Sequence, residues 1–533
     1  MKKLMTRLLS LALICAFVPS FVLADWYLED GSIIVEAKGD TQTVTQGDGS
    51  PTPDNNPVIS NSKTPDSSTS TKNTVTIIAD DKATANVTLN NVSIDVRNED
   101  KAAITTEGKG NVNIELEGTN TVQSGSTHAG VEKDNTGTLT ITDKDKDGTL
   151  TANGGTNGAG IGGGSGKDGK DITISGGTVT ANGGTYGGAG IGGGSGGNGS
   201  TIIIKNSTIT ANGGQHGGAG IGGGVMGNGT GITISGDKVT ATGGNSSAGI
   251  GGGLCGNGSI INIENGTVTA TGGNSGAGIG GGMGGDGTDI EVFGGTVTAT
   301  GGPRGAGIGG GYVGAGTGIT VSGGEVNATG SAGGAGIGGG EKGTGTGITV
   351  SNDAQVKVQG GEKYNDNYGT GAGIGDGGKL GKDGEELPQD PGKLNGGTIR
   401  YYAPGANMQT DAPTLIVGIP KSNTVETAVE TRQVAYWVCG SDGRSLPYQS
   451  QVKDGVLTVT VQADTASLRG TTGSLRQLES QGITEIRFVT NQAQSDFALS
   501  DLLTSGTGSV TLTHDGDKVT FTLESKDISG ILK

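Results

Sequence analysis

The phrase AGIGGG first stands at Ala159–Gly164 and then returns along the middle of the chain at nearly constant intervals. Its isoleucine recurs as Ile161, Ile191, Ile221, Ile250, Ile279, Ile308 and Ile337, at spacings of 30, 30, 29, 29, 29 and 29 residues. An altered copy, AGIGDG, follows at Ile374 after 37 residues. Self-similarity at a fixed period of roughly 20–50 residues marks a solenoid or a propeller, because one unit cannot bury its apolar face alone.

The unit itself decides between them. Asp171–Gly194 contains three strand-like pieces, DITIS, TVTAN and GAGIGGG, separated by glycine turns. Alternation along a strand sends every second side chain inward. In the first piece Ile172 and Ile174 recur as Ile202 and Ile204, and onward to Ile348 and Val350. In the second, Val179 and Ala181 recur as Ile209 and Ala211, and onward to Val326 and Ala328. With the isoleucine of AGIGGG these make five inward columns, the narrow core of an all-β, parallel β-helix with one repeat per turn. A propeller needs about 40 residues and four antiparallel strands per blade. A nonapeptide calcium β-roll has the wrong period.

The same phase reaches back through AGV at Val131 and AAI at Ile104, at spacings of 30 and 27. Ile104 to Ile374 is about ten turns, roughly 50 Å at the ~4.8 Å separation of paired strands. The chain as a whole divides into a signal peptide (1–24), N-terminal strands and a linker (25–71), the repeat domain (72–377), a polar loop (378–395) and a smaller C-terminal α+β domain (396–533) that caps the rod. Strands are expected there at Leu415–Ile419, Val434–Val438, Val456–Gln462 and Ile483–Val489, with helices at Ser474–Gln481 and Phe497–Leu503. A hairpin is expected around Asp515-Gly516.

Composition fixes the address and excludes partners. Lys2, Lys3 and Arg7 precede an apolar run that ends in Val22-Leu23-Ala24, the pattern of an export signal cut after Ala24. No other apolar stretch is long enough to span a bilayer. Loss of those three cations takes the side-chain charge from −17 to −20, a poor surface for nucleic acid or anionic membrane. Cys255 and Cys439 remain after export, too few for a disulfide framework.

Several features are candidate sites. Outward threonines line the second strand, Thr269 and Thr298 among them, a pattern that suits either a stacked exposed ladder or a flat sugar-binding face. Tyr186 and His216 align on successive turns, and such rings stack on sugar. The corner after GGG reads Ser165, Ser195, Val225, Leu254, Met283, Tyr312, Glu341, whose apolar members either pack on a neighbouring segment or form a ligand-contacting strip. Asp143, Asp145 and Asp147 form DxDxDG, the front half of a calcium loop; the alternative is an acidic turn. Catalysis is not expected. No paired carboxylates mark the outward repeat positions. Arg304 is the sole arginine between Ile161 and Ile374, and His128, His216 and His514 are scattered.

The run from VTLNNVSIDV through LEGTNTVQSG and GTLTITDKDKDGTLTANGG into the GAGIGGG units resembles a family of secreted clostridial carbohydrate-binding proteins over Val75–Gly377. That resemblance implies a right-handed parallel β-helix akin to pectate lyases, and binding of plant-wall polysaccharide, notably acidic pectin-like chains, with calcium. The expected function is therefore non-catalytic binding of extracellular polysaccharide. The alternatives are a structural or adhesive surface rod and, less favoured, a polysaccharide lyase.

Overall fold

A computed structural model describes residues 25–63, 69–236, 238–387, 389, 394, 396–418, 430–432, 436–440, 446, 448–480, 482–506, 508–516, 518–524 and 526–533. The signal segment assigned to residues 1–24 lies outside the described residues.

Three sheets of 14, 13 and 14 strands run the length of a parallel β-helix. Each rung contributes one strand to each: an isoleucine-pair face, a threonine face and a glycine face. Register follows the sequence columns. Ile172 pairs Ile202 and Ile174 pairs Ile204 on the first face, Val179 pairs Ile209 and Ala181 pairs Ala211 on the second, and Ile191 pairs Ile221 on the third. All five inward columns are buried in one continuous core. Their small or branched side chains fill a narrow interior where larger residues would not fit.

Glycine makes the third face possible. At Gly280 φ is +130°, and a Cβ there would lie 2.0 Å from the Gly309 oxygen of the next rung. At Gly284, on the following corner, φ is +77° and a Cβ would meet nothing within 4 Å. The first glycine is forced by close approach of stacked backbones, the second only by the turn. Another corner is tied by a side-chain ladder. The Asn198, Asn228, Asn257 and Asp286 backbone N–H groups donate to the carboxylate of Asp168 and the amide oxygens of Asn198, Asn228 and Asn257 in turn, at 2.7–2.9 Å.

The stack is longer than the ten turns counted from the isoleucine phase, closer to fourteen strands per sheet, because both flanks join it. Ile33–Lys38 pairs in parallel with Val75–Ala79, and Val58–Ser60 pairs with Thr84–Asn90. The segment read as strands and linker thus supplies the first rungs. Thr41–Gln46 folds back antiparallel on Ile33–Lys38 and covers that end. At the other end Thr398–Tyr402 adds in parallel to Gln355–Gln359, and Leu415–Gly418 closes antiparallel upon it. Tyr401 and Val417 belong to the core of the rod, so the closing strands are its own.

Beyond them lies a second hydrophobic core, built around Phe488, Phe497 and Phe521, between a five-stranded and a four-stranded sheet. Helix α1 (Thr472–Ser480) overlaps the expected Ser474–Gln481, α2 (Leu499–Ser505) starts two residues later than expected because Phe497 and Ala498 end a strand, and Ser509–Asp515 pairs antiparallel with Lys518–Leu523 around Asp515-Gly516. The strands Tyr448–Lys453, Thr465–Thr471 and Gln494–Ala498 were not expected from sequence; polar residues alternate through them without a long apolar run. Among the described residues no helix is long and apolar enough to cross a membrane.

Candidate functional site

The turn between the threonine strand and the glycine strand is where rungs differ most. In most rungs it holds seven residues, as in GGTNGAG (154–160) and GGNSSAG (243–249). In two it holds eight, GGTYGGAG (183–190) and GGQHGGAG (213–220), which accounts for the extra residue of those repeats. The longer turns carry Tyr186 and His216. Their ring centroids lie 5.1 Å apart at 33°, and Tyr186 is 57% exposed. The His216 Nδ1 lies 2.9 Å from the Thr185 oxygen, which fixes the imidazole beside the phenol ring. The structure thus brings together the two rings that sequence alignment paired.

The same turn column forms an open polar groove of about 310 Å³ in the preceding rungs. Arg97, Gln123, Asn153, Thr156, Asn182 and Thr185 line it, and no carboxylate does. Asn182 donates to the Asn153 amide oxygen and Asn212 donates to that of Asn182, each at 2.8 Å, so the amides stand in a fixed row. Thr185 at its end is followed directly by Tyr186.

Further along this edge the turn expands to fourteen residues, GGEKYNDNYGTGAG (360–373). This insertion delivers Tyr364 and Tyr368 onto the corner that holds Tyr312. The Arg304 guanidinium lies 3.5 Å from the Tyr312 ring centroid and 4.5 Å from that of Tyr364. It also donates to both carboxylate oxygens of Glu341, at 2.7 and 3.1 Å, and Glu341 is fully buried. Lys342 donates to the Tyr312 hydroxyl at 2.7 Å and lies 4.6 Å from the Tyr368 ring centroid. Arg304, Lys342, Tyr364 and Tyr368 were not singled out as site residues from sequence. The usable signal was the jump in spacing from 29 to 37 with two tyrosines inside it.

The apolar corner strip has a packing explanation. The Val225 N–H donates to Gly187 O and the Leu254 N–H to Gly217 O, and a Cβ on Gly187 would lie 2.8 Å from Val225 Cβ. Val225 and Leu254 are half-buried against the neighbouring turn. Thr269 and Thr298 pair on adjacent rungs of the threonine face, half-buried in the ladder, with no ring beside them in register.

Asp143, Asp145 and Asp147 sit on a different corner, between the isoleucine-pair strand Leu139–Thr142 and the threonine strand Thr149–Asn153. One oxygen from each lies within 4.8 Å of the others, a separation that a hard cation with ~2.3–2.6 Å bonds can bridge. Asp143 is buried and accepts from the Lys146 and Gly148 N–H groups at 2.8 and 2.9 Å. Burial, and then hydrogen bonding with Asp145, hold its carboxyl above the usual range.

One further polar cluster marks where the uniform array begins. Glu132 stands in register with Gly162, where later rungs have glycine, and takes His128 Nδ1 and the Ala129 N–H at 2.9 Å each. Lys133 beside it donates to the Asn135 and Gly137 oxygens at 2.7 Å, and burial pushes its ammonium down to about 8. These side chains are satisfied and plug a rung that lacks stacked glycines.

Seven segments (146–165, 172–195, 202–225, 232–254, 261–283, 290–312 and 319–341) match the family described as Beta helix repeat. These segments cover less than half of the chain, and together with the parallel register of the repeat strands they agree with a parallel β-helix fold. No curated protein and no solved structure matches it.

Proposed function

We propose that the protein is a secreted, non-catalytic binder of extracellular polysaccharide that takes its ligand along the turn edge. One observation carries the reading: the exposed ring pair and the two added tyrosines ride on residues inserted into an otherwise uniform rung. Packing does not require those insertions, since seven-residue turns close the other rungs equally well. Rings with an amphipathic face beside a row of fixed amides and hydroxyls suit the apolar faces and hydroxyl edges of sugars. Glycoside hydrolysis uses two carboxylates flanking the bond, and the groove lining consists of an arginine, amides and hydroxyls. The export signal in residues 1–24 and the resemblance to carbohydrate-binding proteins favour plant-wall glycans.

Calcium belongs to the same proposal in a narrower role. The carboxylates of Asp143, Asp145 and Asp147 would hold the ion, and it would supply charge neutralisation to a tight acidic turn. That corner is separate from the ring-bearing edge, which favours fixing of the turn over bridging to a glycan.

Affinity electrophoresis on pectin, xylan and cellulose tests the reading. Retardation by at least one glycan is expected. Substituting both Tyr186→Ala and His216→Ala should weaken it about tenfold or more, since stacked aromatic contacts are worth ~0.5–1.5 kcal/mol each. Thr269→Val with Thr298→Val should leave it unchanged; the reverse pattern would move the site to the threonine face. No retardation on any glycan would favour a structural rod, and unsaturated products released from pectate would favour a lyase.

A further inference from the structure

The cluster at the far end of the edge differs from the groove in charge, and the two cations in it are not equivalent. Arg304 is neutralised by buried Glu341, with 19% of its side chain exposed. This pair lies beneath Tyr312 and Tyr364 and fixes them. Among the described residues no carboxylate lies within ion-pair distance of Lys342. Its ammonium instead donates to the Tyr312 hydroxyl at 2.7 Å and lies 4.6 Å from the Tyr368 ring centroid. These tyrosine contacts hold Lys342 charged, above its ordinary range.

One feature sets this lysine apart from a solvated surface cation. Its corner, φ +70°, holds Gly166, Gly196 and Gly284 in three other rungs and Met226, Cys255 and Val313 in three more, so the distinction lies in its contacts. The side chain is held at two points by rings, which removes most of the rotamer freedom that a binding event would otherwise have to freeze. On the same cluster, stacked against the Arg304 guanidinium, Tyr364 leaves 50% of its surface open. An ammonium held by rings with no carboxylate paired to it, in a cluster that also carries an open aromatic side chain, stands out on a chain of formal charge −17.

We propose that Lys342, Tyr312, Tyr364 and Tyr368 form an anion subsite that takes one negatively charged sugar unit, its carboxylate or sulfate ester on the Lys342 ammonium and its ring face on Tyr364. The subsite rests on the polysaccharide reading and adds to it a charge requirement at one end of the edge. Charge-assisted hydrogen bonds to a preorganised donor are about twice as strong as neutral ones. The bland alternative is that Lys342 merely staples the inserted turn to the rod.

The experiment measures binding of the full-length chain by calorimetry to three probes: a galacturonate oligomer, the same oligomer as its methyl ester, and a sulfated galactan oligomer. Wild type should bind one or both charged probes more tightly than the ester. Lys342→Gln should weaken the charged probe by about tenfold or more and leave the ester unchanged. Lys342→Arg should retain most of the affinity. A thermal scan of each variant reports the staple role separately. Preference for the sulfated probe would identify the sulfate source, and preference for the galacturonate the carboxylate source. Equal binding of acid and ester by wild type would overturn the subsite while leaving polysaccharide binding intact. So would Lys342→Gln that lowers the melting temperature without changing affinity. If no probe binds and no neutral glycan does, both readings fall together.

Discussion

Two glycines four residues apart make a sharp test of how the rod is held together. Gly280→Ala places a methyl 2.0 Å from Gly309 O, 2.9 Å from its carbonyl carbon and 3.2 Å from its Cα. All three are backbone atoms of the next rung, and that rung is stacked in turn on another, so nothing can yield locally. A φ of +130° is also a conformation that L side chains rarely adopt. Strain of that kind costs about 1–3 kcal/mol, and forcing atoms into a packed interior about 1–3 kcal/mol more. The expected loss is ~2–6 kcal/mol, a large share of the ~5–15 kcal/mol that holds a typical domain. Gly284→Ala meets no atom within 4 Å. Met226, Cys255 and Val313 occupy the same corner of other rungs, each with φ +61°, so the chain already tolerates side chains there. Its cost should be about 1–2 kcal/mol, from the left-handed backbone alone. Urea unfolding of the full-length variants, followed by far-UV circular dichroism and analysed with a shared slope, gives both values. Amide exchange at Ile279 and Ile308 locates the damage. Equal midpoints for the two variants, or a lower one for Gly284→Ala, would refute the view that backbone contact between rungs limits this face.

Other expectations follow from single sites. Removing the Asn228→Ala side chain takes the acceptor from the Asn257 N–H; about 0.5–1.5 kcal/mol should be lost, read as a lower urea midpoint with faster exchange of that amide. Calcium should raise the melting temperature of wild type, by an amount that grows as RT ln(1 + [Ca]/Kd), and leave Asp145→Ala unmoved; glycan affinity should be the same with and without chelator. In the C-terminal unit His514 is buried between Thr490 and Ser495, and burial lowers its pKa. The folded form therefore stays neutral while the unfolded chain takes a proton near pH ~6.5. Stability is full above that pH and declines below it, by up to ~1.4 kcal/mol per pH unit. Thermal scans from pH 8 to 5 should show this decline in wild type and a flatter profile in His514→Gln.

The rod was legible because its core obeys one rule. Each inward column, Ile172 to Ile202 or Ala181 to Ala211, states its own partner, since a parallel ladder with a fixed period leaves no choice of register. The first rungs were harder to see. Ile33–Lys38 and Val75–Ala79 pair across 42 residues, and the intervening hairpin hides the period. Tyr186 and His216 could be aligned because equal repeat lengths place them in equivalent turns. The Arg304–Tyr364 and Lys342–Tyr368 contacts could not, because the two tyrosines sit in an insertion whose path no periodicity dictates. Asp143 illustrates a different limit: its spacing fits a cation loop, while its hydrogen bonds to Lys146 and Gly148 satisfy the same turn without one.

The uniform register has a consequence for how this molecule varies in length. The rungs between Ile221 and Ile279 present the same face above and below, so one 29-residue unit there can be copied or deleted with the core columns rejoined in phase. Each such event moves the Tyr186–His216 pair and the Lys342 cluster apart or together by ~4.8 Å. The distance between the two ends of the edge is therefore a whole number of steps. Gain or loss of such units resets that number without touching either cluster, which makes the array a ruler whose graduations are set by strand spacing.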